Sequence, residues 1–492
     1  MTETAKKKRG MPSSFTILLA LLAIVAVITV IVSGTSGGAV TAARLSDFCT
    51  APIKGFADAL PVCLFVMILG GFLGMMTETG ALDNGIAVLV QKLKGNEIML
   101  IPVLMLIFSL GGTTYGMCEE TVPFYALLAA TMMAAGFDPM VGAATVLLGA
   151  GCGCLGPPVN PFAVCAAVDA LTGVGIEVNQ SIIIGLGAVL WIVTTAMSIF
   201  FVMSYAKKVK ADKGSTILSM QELKDAEEAH GKAASEVHKE VKLTGRQKGV
   251  LIAFAFTFVV MIVGFIPLAD LNEGVANFFD AGAVYDADGN AVVQGWSALI
   301  TGLPIGQWYF DEASTWFFLM AVLIGIIGGL SEKQIVNTFI TGAADMMSVV
   351  LVIALARGIS VLMANTGLDV FVLDAAANAL AGLSGVIFAP MSFLVYFGLS
   401  FLIPSTSGMA TVSMPIMGPL AVKLGFSPEG MVMIFSAAIG VVNLFTPTSG
   451  AIMGGLALAK IEWTTWLKFA LKLIVALSVV CAVILTVACV LI

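Results

Sequence analysis

The feature that most restricts this chain is a series of nearly uncharged stretches, each about 20 residues long and so able to cross a bilayer as a helix. In hydrocarbon every backbone amide needs an internal partner, which leaves only helices and closed barrels as spanning structures. A barrel would show apolar and polar residues alternating along each strand, and that alternation is missing. The fold class expected is therefore an all-α polytopic membrane protein. Composition agrees: 59% of the residues are hydrophobic and 11% are charged, against roughly a quarter charged in soluble domains. Mean hydropathy is +1.02, so the lipid bilayer is the first partner implied. The 52 glycines suit close helix packing and helix breaks in lipid.

Composition also excludes several kinds of chemistry. The cysteines, Cys49, Cys63, Cys118, Cys152, Cys154, Cys165, Cys481 and Cys489, lie almost all in apolar stretches, where they read as small packing residues rather than disulfides. Cys152-Gly-Cys154 is a weak soft-metal pattern, and no metal or other cofactor is expected from it. Both histidines, His230 and His238, fall in one hydrophilic loop. Membrane-embedded haem, a zincin site and a Ser-His protease each need imidazole at depth, so the sequence argues against an enzyme. The net charge of −7 is divided among loops of opposite sign and points to no nucleic-acid partner.

Those loops set the orientation. Residues 1–55 hold a basic start, Lys6 to Arg9, then an apolar run from Phe15 to Val32 and a small-residue stretch from Ala39 to Ala43. The run is too long for a typical signal-peptide core. A retained helix with a cytoplasmic N-terminus, in the plasma membrane of a prokaryote, is expected. Residues 206–249 form a hydrophilic loop with Lys207, Lys208, Lys210, Lys213, Lys239, Lys242 and Arg246 crowding its ends, which places it in the cytoplasm. Its middle, Glu222 to Lys242, reads as a solvated helix. Residues 250–342 supply two linking helices around an outer loop, 269–313. That loop carries Asp270, Glu273, Asp280, Asp286, Asp288, Asp311 and Glu312 and no lysine or arginine. Asp286-Ala-Asp288-Gly-Asn290 resembles the start of a calcium loop, but its glycine is early and the twelfth-position glutamate is absent. A turn between short strands fits better.

An internal repeat divides the rest into residues 56–205 and 343–492. Thr79-Gly80-Ala81-Leu82-Asp83 returns as Thr366-Gly367-Leu368-Asp369, and Gly116 to Pro123 matches Gly408 to Pro415 with the same spacing. Gly136-Phe-Asp-Pro139 returns as Gly425-Phe-Ser-Pro428, and Gly156 to Pro161 corresponds to Thr446 to Gly450. All four lie in one order. The span count closes only if each repeat holds a re-entrant hairpin (about 97–135 and 384–424) and a broken spanning helix (about 140–173 and 429–461). The first repeat then begins outside and the second inside, an inverted arrangement typical of secondary transporters, and the C-terminus lies outside.

The interruptions are the candidate site. Unwound backbone at membrane depth is tolerated where it lines a cavity or is buried in protein. The first tip, Gly111-Gly112-Thr113-Thr114-Tyr115-Gly116, and the second, Pro404-Ser405-Thr406-Ser407-Gly408, offer amides, carbonyls and hydroxyls. The helix after each tip directs its positive end there, which suits a carboxylate. The helix breaks add Asn160, Asn443, Thr446, Thr448 and Ser449, with a possible sodium site near Gly111, Gly112, Asn160 and Thr446. Glu119 and Glu120 are charges at depth without counterparts in the other half, which has Thr411 and Val412 there. Adjacent helical residues point about 100° apart, so one of the two is expected to face the cavity. Arg357, in Leu355-Ala-Arg357-Gly358, can pair with a substrate carboxylate or with an internal acid. Asp83 and Asp369 read as helix-start residues.

Taken together, Met11-Pro-Ser-Ser-Phe-Thr, Gly116-Met-Cys-Glu-Glu-Thr121, Asn160-Pro-Phe-Ala-Val164, Trp308-Tyr-Phe-Asp-Glu312, Ala356-Arg-Gly358, Ser407-Gly-Met-Ala-Thr411 and Thr446-Pro-Thr-Ser-Gly450 resemble the YfcC-like family over nearly the whole chain. That family includes basic amino acid antiporters of the arginine/ornithine type and is related to anaerobic four-carbon-dicarboxylate carriers. The resemblance implies a dimerising scaffold, a transport domain with two re-entrant hairpins, and elevator-like movement. It favours a carrier for a small amino acid, a basic one first, exchanged or coupled to sodium or protons. The alternative is a dicarboxylate or other organic anion with Arg357 as its partner. A channel would share the re-entrant loops but not stoichiometric exchange. Alkaline phosphatase fused after Asp286 is expected to be active in cells and the same fusion after Asp225 inactive; the reverse pattern overturns this topology.

Overall fold

The computed structural model describes residues 14–491 apart from 83, 86–87, 89–95, 159, 237–241, 267, 272, 287–290, 382, 384 and 404. The basic start, Met11 to Ser13, Asp83, His238, Asp288, Asn290 and Pro404 therefore lie outside the described residues. Among those described, eight helices are long and apolar enough to span a membrane. Four shorter apolar helices, Pro139–Leu155, Phe162–Thr172, Ile387–Phe401 and Pro428–Val442, adjoin the polar interruptions. At 1.5 Å per residue none reaches the roughly 30 Å of a hydrocarbon core.

The first half runs α1 (Ser14–Ser33), α2 (Leu45–Asp58), α3 (Leu60–Glu78), α4 (Leu100–Tyr115), α5 (Val122–Ala134) and α6 (Pro139–Leu155). A π-helical turn, Pro161–Cys165, leads into α7 (Ala166–Thr172), and α8 (Gln180–Ala211) closes the half. The linking region holds α9 (Met220–Glu236), α10 (Gly245–Phe265), the short α11 (Leu268–Leu271) and α12 (Glu273–Phe279), and α13 (Phe310–Gly328). In the acidic loop β1 (Val284–Tyr285) pairs antiparallel with β2 (Ala291–Val293), in keeping with a turn between strands. The second half follows: α14 (Glu332–Asp345), α15 (Met347–Thr366), α16 (Leu368–Leu380), α17 (Gly385–Leu402), α18 (Thr406–Lys423), α19 (Pro428–Val442), α20 (Gly450–Leu458) and α21 (Trp463–Leu491). Asp369 is in the first turn of α16, which Gly367 begins.

Corresponding packings occur in both halves. Helices α4, α5 and α6 form a hairpin lying on a broken helix, and α17, α18 and α19 do the same. The arms also cross over: α5 packs on α20, and α18 on α7. Where equivalent helices of the two halves meet they run antiparallel. Gly440 abuts Leu155 while Gly151 abuts Leu444, so α6 and α19 meet antiparallel at their C-terminal ends. Along the other seam Gly55 lies on Ala354 and Gly358 and Gly70 lies on Gly342, so α2–α3 runs against α14–α15. A Cβ at Gly55, Gly70, Gly342, Gly358 or Gly440 would run into backbone of the facing segment, and small residues are what lets helices in lipid approach this closely. Around the second seam, Phe72 of α3 meets Phe317 of α13 at 4.9 Å and Phe254 of α10 at 5.8 Å between ring centroids.

The hydrophilic loop is not simply solvated. Helix α9 packs on α5, with Leu218, just before it, and Ala226 buried. Thr216 and Tyr205 both donate to Asp138 Oδ2 at 2.6 Å. The other carboxylate oxygen of Asp138 caps α6 by accepting from Val141 N. Glu222 accepts from the backbone N of Glu462 at 2.9 Å, and His230 Nε2 lies 3.1 Å from the Leu458 carbonyl. Leu223 and Ala226 on one side of α9, with Glu222 and His230 as polar anchors, account for the docking.

Two outcomes are expected in purified protein. Gly55→Val overpacks the seam, at a cost of about 1–3 kcal/mol, and should lower Tm, whereas Gly398→Ala, with open space around its Cβ position, should leave it unchanged or raised. An equal Tm for both overturns the seam's role. Burial, with a smaller contribution from Lys460, holds the His230 imidazole below its ordinary 6.5, although its bond to Leu458 works the other way. Docking of α9 is then complete above pH 6.5 and weakens as pH falls below it, because the undocked helix takes up the proton more readily. Protection factors in residues 220–231, corrected for the intrinsic exchange rate at each pH, should fall from pH 7.5 to 5.5; equal protection at both values contradicts this.

Candidate functional site

Each polar interruption has its freed backbone groups satisfied locally. Helix α4 runs on through Tyr115 and ends at Gly116, whose φ of 79° is the left-handed conformation glycine adopts without strain. The first tip is therefore Gly116 to Cys118, later than the Gly111–Gly116 expected from sequence. Gly111 and Gly112 are helical because Gly112 is needed for backbone contact with Ala150 of α6, and their carbonyls accept from Met117 N and Gly116 N. After the tip, Glu119–Thr121 makes one 3₁₀ turn into α5. At the first helix break, Asn160 Oδ1 accepts from Phe162 N at 2.8 Å and Ala163 N at 3.3 Å, capping the π-turn. A Cβ at Gly116 would lie 2.7 Å from Asn160 Nδ2, so tip and break are in direct contact.

The second half reaches the same result with serines. Ser405 Oγ accepts from Gly408 N at 3.2 Å at the start of α18, and Ser449 Oγ from Ile452 N at 3.5 Å at the start of α20. Asn443 closes α19. Four helical N-terminal ends thus converge, two from each half, each bringing the positive end of its backbone dipoles.

They enclose one cavity of about 360 Å³, within the usual range for small-molecule sites. Of the residues expected from sequence, Gly116, Glu119, Glu120, Asn160 and Arg357 line it, as do Ser405, Thr406, Ser407, Asn443, Thr448 and Ser449. The others do not. Thr113 donates to the Gly156 carbonyl and Thr114 to Leu110, inside their own packing. The Tyr115 side chain is outside what the structure describes. Gly408 belongs to the first turn of α18. Thr446 is buried, with its hydroxyl 2.7 Å from that of Thr448. The groups expected near a sodium ion have partners of their own: the Gly111 and Gly112 carbonyls accept from Met117 N and Gly116 N, and the Thr446 hydroxyl is bonded to that of Thr448.

Both Glu119 and Glu120 line the cavity, which corrects the expectation that one would. They sit in a short turn at the end of a tip, where the chain is open to the cavity on more than one side. Glu120 folds back, its Oε2 accepting from Cys118 N at 3.0 Å. Asp58, at the end of α2, was not singled out from the sequence; it lines the cavity and pairs with Arg357, Nε to Oδ2 at 3.0 Å. An acid directly before an apolar run was the available sign. Cys118, Cys154 and Ser436 also contribute polar atoms, and Tyr125, Phe162 and Phe310 supply aromatic wall.

The cavity walls thus hold three carboxylates, one guanidinium and four helix starts, which can bind a small solute bearing charges of both signs. The chain as a whole is similar to known proteins. An uncharacterized protein of Haemophilus influenzae is 28% identical over 445 residues, 90% of this chain and 78% of that one. YfcC of Escherichia coli, provisionally named a basic amino acid antiporter, is 27% identical over 440 residues, 87% of this chain and 77% of its own. Among solved structures the chain is similar to the YdaH transporter of Alcanivorax borkumensis, at 15% identity and a TM-score of 0.46, covering 97% of this chain and 98% of that one. Residues 38–490 match the family described as DcuC, C4-dicarboxylate anaerobic carrier. The chain belongs to that family, and it is a multi-pass membrane transporter.

Proposed function

We propose that the protein is a secondary carrier for a small amino acid, a basic one such as arginine or ornithine first, and that it works by exchange. The observation that carries this reading is the charge of the cavity: Asp58, Glu119 and Glu120 face a single cation, Arg357, which is already paired with Asp58. A dianion would enter against that excess of carboxylates, whereas a cationic side chain would relieve it. The helix starts at Ser405 and Ser449 supply amides and hydroxyls for the substrate's carboxylate. Glu119 and Glu120 receive its cationic end. The same two carboxylates are the cavity groups suited to carry a proton or a sodium ion as coupling species.

Movement of the hairpin-bearing helices as a unit against α2–α3 and α14–α15 supplies access from alternate sides. The support is the packing: hairpin arms and broken helices hold one another across the two halves, while the glycine seam holds the other body together. A second reading, a four-carbon dicarboxylate, draws on the family's description and on the four converging helix starts.

Proteoliposomes loaded with arginine or ornithine should take up labelled arginine, and external succinate should not compete. Glu119→Gln and Glu120→Gln should each raise the half-saturating arginine concentration about tenfold, the equivalent of roughly 1.4 kcal/mol. Counterflow driven by succinate and not by arginine, ornithine or lysine sinks the basic substrate and leaves the second reading.

A further inference from the structure

The Asp58–Arg357 pair belongs to neither hairpin. Asp58 is the last residue of α2 and Arg357 lies in the middle of α15, and the two are brought together by the glycine seam, where Gly55 and Gly358 set backbone on backbone. The seam has a second, equivalent crossing. The offset that carries Thr79 to Thr366 carries Asp58 to Asp345, Gly70 to Arg357 and Gly71 to Gly358. Asp345 likewise ends a helix, α14, but it is exposed and has no ion pair among the described residues. Gly70, standing where Arg357 would stand, is instead packed against Gly342 and Met346. The fold thus tolerates this crossing without an arginine. The pair is not needed to build the seam, and its atoms face the cavity with side-chain exposures of 27% for Arg357 and 52% for Asp58.

We propose that Asp58 is the specificity-determining residue of the cavity: it occupies Arg357 and so denies that guanidinium to dicarboxylate substrates. This rests on the reading above that the protein prefers a cationic solute. A guanidinium is the natural partner of a carboxylate, which it can bind with two parallel hydrogen bonds. With Asp58 on its Nε, Arg357 enters the cavity as half of a neutral pair. Without Asp58 the guanidinium fork is freed beside four helix starts, with Glu119 and Glu120 as the remaining carboxylates of the cavity, and can take a substrate carboxylate in place of Asp58. The equivalent crossing holds with Gly70 in the arginine's place, so loss of the pair leaves the scaffold intact and alters the solute chosen.

The test measures binding of arginine and of succinate to the purified full-length chain, by thermal shift and by competition in proteoliposomes. Wild type, Asp58→Asn, Asp58→Glu and the double variant Asp58→Asn with Arg357→Gln are compared. Asp58→Asn should bind succinate about tenfold more tightly than wild type or better, the range of one carboxylate–guanidinium contact. Asp58→Glu should behave as wild type, and the double variant should lose the gain. A folded Asp58→Asn protein with unchanged succinate affinity overturns the proposal, as does a double variant that keeps the gain. A wild type that already binds succinate as tightly as Asp58→Asn does overturns it too. The general reading fails separately: wild type that does not bind arginine, ornithine or lysine contradicts the cationic substrate, while the change in succinate affinity still decides the role of Asp58.

Discussion

A helix interrupted in hydrocarbon must find partners for the amides and carbonyls it releases, and every functional part of this structure follows from how that requirement is met. At Gly116 the chain reverses in the left-handed conformation and the last carbonyls of α4 are capped from within. At Asn160, Ser405 and Ser449 a side-chain oxygen takes the first free amides of the next helical segment. The capped helix starts and the short non-helical segments between them surround a shared space, and that space is the cavity.

The close approach that makes this possible is supplied by glycine. Where α6 and α19 meet, Gly440 lies on the Leu155 backbone and Gly151 takes the Leu444 side chain, so two broken helices approach closely. Between α2–α3 and α14–α15, Gly55, Gly70, Gly342 and Gly358 do the same. Without a hydrophobic force between helices in lipid, such contacts and the dispersion they permit hold the two bodies together.

Much of this was legible in the sequence, since glycine, proline and serine amid apolar residues are conspicuous and recur in register. The placement of the first unwound residue was not. Gly111 and Gly112 read as a break, yet glycine serves a break and a close contact equally, and here it serves the contact with Ala150. Arg357 was visible as a charge at depth. Its partner was not, because Asp58 lies on another helix near the other end of the chain and only the packing of α2 on α15 brings the two together. The docking side of α9 was likewise hidden by the lysines and acids around it, so the helix was expected to be solvated when in fact it docks.

The equivalence of Gly70 and Arg357 has a bearing on ancestry. If the halves descend from one duplicated unit, both copies of the crossing could once have carried glycine, with an acid already in place at the ends of α2 and α14. Glycine and arginine codons differ by a single base. On that descent a single mutational step separates the charged crossing from the uncharged one. Discrimination among solutes in this lineage would then be younger than the scaffold, and reversible by the same route.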